Sequence, residues 1–392
     1  MAFENISPSS IIASTNLSAP STGPVFEGGD VSEATLLAAV ELMATGAVTA
    51  TPQVGGTLTI NGVALQSYDY KIHDGNLTIT DTADMSDYFT ATEDTRSAFL
   101  IVKGNLTVNA GALLRPQVRK LFACVYATGT ATINGEVSMT ARGANHSAFT
   151  PSGPLLIASG DWNDGVGTVA SPAVPATGGT GGAARDTSGA NAGAAGTGGG
   201  TGGGGTGGRS PIATGAIAGA GAAGSMFAGG PGGGAAAEST TTPSEGGTAN
   251  GGKGGDGRIG SSASSRAAAG GGGNPGGAGV TTAVSGTVAE DGATGCAGTL
   301  ILIADVLAGS GTASSNGPRG GNATTASTTN ERPTGGGGAG GGHVSALAKT
   351  SDGSTITVQA NAGAAGTATG NMNEQPGAPG GLGATRILEP AA

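Results

Sequence analysis

Gly104-Asn-Leu-Thr-Val-Asn109 is a turn glycine followed by a short strand in which apolar and polar residues alternate. Leu106 and Val108 therefore point to one face of the strand, and the polar residues between and after them point to the other. Repeats 19 to 29 residues apart are typical of solenoids, whose units bury their apolar faces only by stacking. The pattern predicts parallel β-coils, and it occurs at Gly56-Thr-Leu-Thr-Ile-Asn61, Gly75-Asn-Leu-Thr-Ile-Thr80 and Gly129-Thr-Ala-Thr-Ile-Asn134.

The same pattern returns late in the chain, at Gly298-Thr-Leu-Ile-Leu-Ile303 and Gly353-Ser-Thr-Ile-Thr-Val358. Apolar runs at 99–102 and 121–125 fit a second face of the coils. Asparagines that follow the strands tolerate a left-handed turn and are predicted to form a hydrogen-bonded ladder; they are Asn61, Asn109 and Asn134. We expect further strands at about 299–304, 343–348, 355–360 and 384–388.

The composition argues against several classes of protein. Charged residues make up only 11% of the chain and the net charge is −10, whereas surfaces that bind nucleic acid or anionic membranes need clustered Lys and Arg. The N-terminus has no basic segment followed by an apolar run, and no stretch approaches 18 apolar residues, so neither a signal peptide nor a membrane span is expected. Cys124 and Cys296 lie far apart, which predicts buried thiols rather than a disulfide framework.

Glycine dominates the chain from Gly178 onward, and the whole sequence has 81 glycines, far above an average share of about 7%. Glycine does not occupy every third position strictly, which excludes collagen. A flexible linker and a bundle of polyglycine II helices both fit this composition. Apolar pieces such as 299–306 and 344–347 interrupt the region and favour the bundle. Glycine runs such as 335–342 and 362–370 are then excursions from one side of the coils that pack as rods.

The predicted fold class is all-β, with parallel β-solenoid-like coils, a polyglycine II bundle and little α-helix. Residues 1–50 are interpreted as an N-terminal arm and a helix at 32–45, residues 51–177 as the solenoid-like domain, and residues 178–392 as the glycine-rich region with interspersed strands. The arm is predicted to dock on a partner surface through its apolar residues, which are Phe3, Ile6, Ile11, Ile12 and Leu17.

No catalytic, cofactor-binding or metal site is predicted, and the chain is interpreted as non-enzymatic. The histidines have no metal-ligand spacing, and no Gly-x-Gly-x-x-Gly match joins a strand to a helix. Glycosidic carboxylates drawn from distant coils stay an alternative, although aromatic residues that could hold a sugar make up only 3% of the chain.

Residues that interrupt the glycine lattice are predicted to form loops at the rod ends, and loops on a rigid scaffold commonly bind partners. The alternative is that they only close turns. These candidate receptor contacts are Arg209, Ile212, Met226, Phe227, Arg258, Ile259, Arg266, Asn330, Arg332, Asn371, Met372 and Asn373.

Two resemblances rest on these segments. Residues 99–143 resemble glycine-rich β-solenoid structural proteins of phage particles, and residues 178–383 resemble the tail-fibre tip adhesins of T-even-like phages. In the adhesin family, glycine-rich motifs form a polyglycine II sandwich whose distal loops contact the host outer membrane. The resemblance is one of composition and architecture, and no family binding residue is carried over. The β-coils before and within the glycine region depart from the adhesin pattern.

The resemblance implies a virion protein made in the host cytoplasm, most readily a tail fibre or receptor-binding adhesin. We expect a homotrimer without cofactor that contacts other virion proteins through its N-terminus and a saccharide or outer-membrane protein on the host surface. A capsid decoration or head-fibre protein is the main alternative. A weaker likeness to glycine-rich insect antifreeze proteins makes an ice-binding protein the distant alternative.

Overall fold

The computed structural model describes part of the chain in separate ranges, which are 56–60, 63–84, 97–120, 123–143, 162–163, 219, 221–222, 229–237, 253–259, 266–282, 285–325, 332–351, 354–370 and 384–390. The predicted helix at 32–45 and the five docking residues of the arm lie outside these ranges. Within them the chain is all-β, which confirms the predicted class at that level.

Twenty-three strands are described. They are β1 (Gly56–Ile60), β2 (Val63–Asp74), β3 (Leu77–Ile79), β4 (Thr82–Asp84), β5 (Ser97–Lys103), β6 (Leu106–Val108), β7 (Leu113–Arg115), β8 (Ala123–Ile133), β9 (Glu136–Ser138), β10 (Trp162–Asn163), β11 (Ala236–Ala237), β12 (Arg258–Ile259), β13 (Arg266–Ala268), β14 (Val280–Thr281), β15 (Val288–Ala289), β16 (Thr299–Ala308), β17 (Thr312–Ser314), β18 (Ala323–Thr324), β19 (Arg332–Thr334), β20 (His343–Ser351), β21 (Thr357–Gln359), β22 (Ala368–Thr369) and β23 (Ala384–Pro390).

The largest sheet runs β1-β2-β5-β8-β16-β20-β23-β10, and every pair from β2 to β23 is parallel. The first half of β8 pairs with β5, and its second half pairs with β6, which in turn pairs with β3. A second parallel sheet runs β21-β17-β9-β7-β4. The strands predicted at 299–304, 343–348 and 384–388 are β16, β20 and β23, so the late segments continue the sheet begun by β2. We call these two sheets the spine.

The core of the spine consists of aliphatic side chains that repeat from one strand to the next. Leu106 and Val108 are fully buried, as the alternation predicts. Leu106 lies opposite Leu77 in one neighbour and opposite Ala131 in the other. Because each strand covers the apolar side chains of the previous one, no single strand has to bury them alone. Both cysteines are buried and form no disulfide, which confirms that prediction.

An asparagine ladder is present, but it lies before the strands rather than after them. Asn76 Oδ1 accepts a hydrogen bond from the amide of Asn105 at 2.9 Å, and Asn105 Oδ1 accepts one from the amide of Thr130 at 2.9 Å. Asn109 and Asn134, which were predicted to form it, instead continue the stack through backbone amides that donate to Ile79 and Val108. The predicted ladder residue Asn61 lies outside the described residues. The turn glycines stack as well, since Gly129 donates to the carbonyl of Gly104 at 3.1 Å.

Eight extended segments pack together through backbone hydrogen bonds; we call them rods 1 to 8 and their assembly the slab. The rods are residues 229–237, 253–259, 266–273, 275–282, 288–295, 315–325, 332–342 and 360–370 in that order. Between neighbours, hydrogen bonds recur at every third residue. In rod 7, the amides of Gly336, Ala339 and Gly342 donate to rod 6, whereas those of Gly337 and Gly340 donate to rod 1. Each neighbouring rod is therefore bonded by its own set of amides, which are three residues apart in the sequence.

Rod 3 lies at the centre of the slab. Its residues Gly270, Gly271 and Gly272 are buried, and their three amides donate to rods 5, 2 and 7 at 2.9–3.1 Å. Their three carbonyls accept from rods 6, 4 and 1 at 2.7–2.9 Å. Three consecutive glycines thus bond to six different rods, and a Cβ atom at any of the three would overlap a neighbouring backbone.

Candidate functional site: the slab tip

Rods 1 and 2 run in the same direction, whereas rods 3 and 4 and rods 5 and 6 run in opposite directions, so the rod ends gather at two faces of the slab. Rods 5 and 7 lead into β16 and β20, and rods 6 and 8 leave from β17 and β21, which places one face beside the spine. At the opposite face the rods are joined by short strands: β11 with β12, β14 with β13 and β19, and β15 with β18 and β22. We call this outer face the slab tip.

Four of the candidate receptor contacts lie at the slab tip. Arg258 and Ile259 form β12 beside β11, and Arg266 pairs in register with Arg332 between β13 and β19. The structure therefore brings these four residues to one end of the slab. The remaining candidates lie outside the described residues; they are Arg209, Ile212, Met226, Phe227, Asn330, Asn371, Met372 and Asn373.

The four tip residues lie in strands, which corrects the expectation that they form loops. Arg266 is only 3% exposed, and Arg258 and Ile259 are half-buried. Arg258 and Ile259 pair with Ala236 and Ala237, and Arg266 pairs with Arg332, so strand pairing continues to the tip without glycine. A non-glycine residue ends the close approach of two rods but does not end their pairing.

Small apolar clusters hold the slab tip together. Ala235, Ala237 and Ala268 are buried and pack against Ile259. Ala267, Ala269 and Ala323 form a second cluster with Ala289. Because these side chains come from five different rods, the tip strands are held by packing as well as by backbone pairing.

A charged side chain also accepts backbone hydrogen bonds between rods. Arg319 Nη1 lies 2.8 Å from Glu290 Oε2, and the same oxygen accepts a hydrogen bond from the amide of Asn322 at 3.2 Å. The hydrogen bond from Arg319, followed by the amide of Asn322, lowers the pKa of Glu290 although partial burial opposes the shift. Glu290 therefore joins rods 5 and 6 as a carboxylate.

Two aspartates have the same role at rod 4. Asp256 Oδ1 accepts from the amide of Ala278 at 2.7 Å, and Asp291 Oδ1 accepts from the amide of Gly279 at 2.7 Å. Lys253 forms an ion pair with Asp256. These side-chain acceptors were not predicted, because an aspartate in glycine-rich sequence is equally typical of a turn.

A hydroxyl cluster buried in the second sheet was also missed. Ser314 Oγ donates to Glu136 Oε1 at 2.5 Å, lies 2.7 Å from Ser138 Oγ and lies 3.1 Å from Thr140 Oγ1. Ser138 and Ser314 are opposite each other in the strand register. Since these buried hydroxyls bond to one another and to a carboxylate across adjacent strands, we interpret the cluster as structural.

The described residues hold no group of three or more His, Cys, Asp or Glu side chains that could bind a metal ion. Two of the three histidines are described: His73 Nε2 lies 3.1 Å from the carbonyl of Asn76, and His343 is buried at the start of β20. A helix of sufficient length and apolarity to cross a bilayer is not found in the described ranges.

Comparisons with protein-family models, with curated proteins and with solved structures give no match. The spine, the slab and the slab tip are therefore the observations on which a function is proposed.

Proposed function

We propose that the spine is a parallel β-solenoid and that the rods are polyglycine II helices. The solenoid is supported by the successive parallel pairing of β2, β5, β8, β16, β20 and β23, with a second parallel stack formed by β4, β7, β9, β17 and β21. Polyglycine II helices have three residues per turn and no internal hydrogen bonds. Bonding between different rods at every third residue agrees with both properties.

On this architecture we propose a non-enzymatic structural protein of a phage particle, acting as a tail fibre or receptor-binding adhesin. The observation that carries the proposal is the bonding of Gly270, Gly271 and Gly272 to six rods. A lattice of backbone hydrogen bonds makes a rigid body from a sequence that has few large side chains to pack. Rigidity combined with a tip of distinct residues suits a binding surface held away from its attachment point.

The proposed contact surface is the slab tip around Arg258, Ile259, Arg266 and Arg332. Arg258 and Ile259 are half-buried, and they bring one guanidinium group and one aliphatic side chain to the outer end of a chain whose net charge is −10. Guanidinium groups bind the carboxylates and phosphates of surface saccharides in a bidentate manner. Contacts at one tip are few, so the affinity depends on several copies acting together, as in the expected homotrimer.

Binding of the fluorescently labelled protein to susceptible cells tests this function. We expect saturable binding that competes with infection by the particle. Arg258→Ala should weaken binding about tenfold, because truncating a central interface arginine commonly costs more than 1 kcal/mol. Lys103→Ala is the matched control, since it removes one cation from the spine, where Lys103 lies 3.5 Å from Asp74. Absence of both cell binding and interference with infection contradicts the proposal.

A further inference from the structure

Rod 8 is the last described rod, and it repeats rod 6 at a separation of 45 residues. Asn361 donates its amide to Asn316 Oδ1 at 2.8 Å, and Thr367 donates its amide to Asn322 Oδ1 at 2.9 Å. The strands that precede the two rods have the same offset, since Thr312 of β17 pairs with Thr357 of β21. Each residue of rod 6 therefore has an equivalent in rod 8.

Rod 6 binds rod 8 through a row of amides. The amides of Gly317, Gly320 and Ala323 donate to the carbonyls of Asn361, Ala364 and Thr367 at 2.9–3.0 Å. The donors are three residues apart, which spaces them by about 9 Å along a polyglycine II helix. One rod therefore binds the next rod through this row of amide donors and through the side-chain oxygens of Asn316 and Asn322.

Rod 8 carries an equivalent row that faces away from rod 6. Its donors are the amides of Ala362, Ala365 and Ala368, which are the equivalents of Gly317, Gly320 and Ala323 and are half-buried. The described ranges supply no backbone acceptor for the amides of Ala362 and Ala365. Beside Ala368, in the pairing of β22 with β18, the bond runs from the amide of Ala323 on rod 6 to the carbonyl of Thr367. Asn361, the equivalent of Asn316, is exposed beside them. The outer side of rod 8 thus repeats the surface to which another rod binds.

We propose that this row, Ala362, Ala365 and Ala368, is an interface for a second copy of the chain. The partner has to offer carbonyl groups three residues apart, as Asn361, Ala364 and Thr367 of rod 8 offer them to rod 6. The rods of a second copy supply carbonyl groups at this spacing. Residues 354–370 contain no charged side chain, so two acidic copies meet here without repulsion.

The contact is heterologous, because donors on one copy meet carbonyls on a different surface of the next. Heterologous contacts form closed rings when the rotation between copies closes. The row therefore supplies a physical basis for the expected homo-oligomer that does not depend on the slab tip or on any receptor.

Proline substitution tests the row. Proline fits the backbone angles of this helix type and removes the amide donor. Sedimentation equilibrium of the full chain should show association for the natural protein, with a dissociation constant raised about tenfold in Ala365→Pro, because one interfacial hydrogen bond is lost and its acceptor is left unsatisfied. Ala364→Pro is the matched control on the same rod, since its amide lies in the set facing rod 6, and its association should equal that of the natural protein.

Two results overturn the proposal. One is a natural protein that stays monomeric at all concentrations, or an Ala365→Pro variant whose dissociation constant equals that of the natural protein. The other is protection of the Ala365 amide from hydrogen exchange in the isolated monomer, because its acceptor then belongs to the same chain. Neither result depends on cell binding, so failure here and failure of the adhesin function are distinguishable.

Discussion

Gly271 and Gly292 lie on adjacent rods and approach so closely that a Cβ atom on Gly292 would overlap the carbonyl group of Gly271. The amide of Gly292 also donates to the carbonyl of Gly277 at 2.9 Å, which ties rod 5 to rod 4. One glycine therefore sets the spacing of three rods. The stability of the slab should depend on the absence of a side chain at such positions more than on any buried apolar group.

Gly292→Ala should destabilise the protein by at least about 2 kcal/mol, because the added methyl group meets backbone that can move only by separating the rods. Urea unfolding measures the change. Gly111→Ala is the comparison, since Gly111 has a φ of 82° and open space around its Cβ position. There the cost is only that of a left-handed backbone, about 1 kcal/mol. A loss at Gly292 no larger than that at Gly111 would contradict the close packing of the rods.

Asn105→Ala should cost about 1 kcal/mol, because the amide of Thr130 loses its acceptor in the middle of the ladder. Asn134→Ala is the matched control, as Asn134 is exposed and its part in the stack is a backbone bond. Thermal unfolding of both variants checks the difference. Equal effects would mean that the side chain of Asn105 contributes nothing beyond its own turn.

The strands of the spine could be predicted from the sequence, because their side chains alternate and their apolar residues are buried. Leu106 and Val108 show this directly, and β16 and β20 begin at the expected positions. The hydrogen bonds around Gly270 could not be predicted in detail, because bonds between glycine backbones do not depend on the order of side chains in the sequence. The slab tip was predicted in part: Arg258 and Arg332 were selected because they interrupt the glycines, but they pair in strands with Ala236 and Arg266, which other rods contribute.

Acid should weaken the contact between rods 5 and 6. The pKa of Glu290 is lowered in the folded protein, so its contribution to stability is present above the unfolded pKa of about 4.3 and is lost as pH falls through the folded pKa. Glu290→Gln and Arg319→Ala should each reduce the fall in the free energy of unfolding between about pH 5 and pH 3.

Urea unfolding at several pH values measures this fall, and the double variant should show no further reduction because the two side chains form one pair. Additive effects of the two substitutions would contradict the assignment of the pH dependence to this pair.

Cys296 should resist thiol reagents in the folded protein. Burial raises the pKa of its thiol to about 12, although the nearby Arg119 opposes the shift, so almost no thiolate forms at pH 8. In a Cys124→Ser variant, iodoacetamide should label Cys296 only after denaturation, as measured by mass spectrometry. Because the folded pKa is raised above the unfolded value of about 8.5, stability should also fall as pH rises above that value. Rapid labelling of Cys296 in the native protein would contradict its burial.

Cryo-electron microscopy of the native particle tests the central claim most directly, because it places the chain within the assembly. The proposed function predicts density at the distal end of the tail, with β12, β13 and β19 of the slab tip outermost and the spine toward the particle. Density on the capsid lattice, with the slab tip buried against other subunits, would contradict the receptor-binding function and would identify a decoration protein instead.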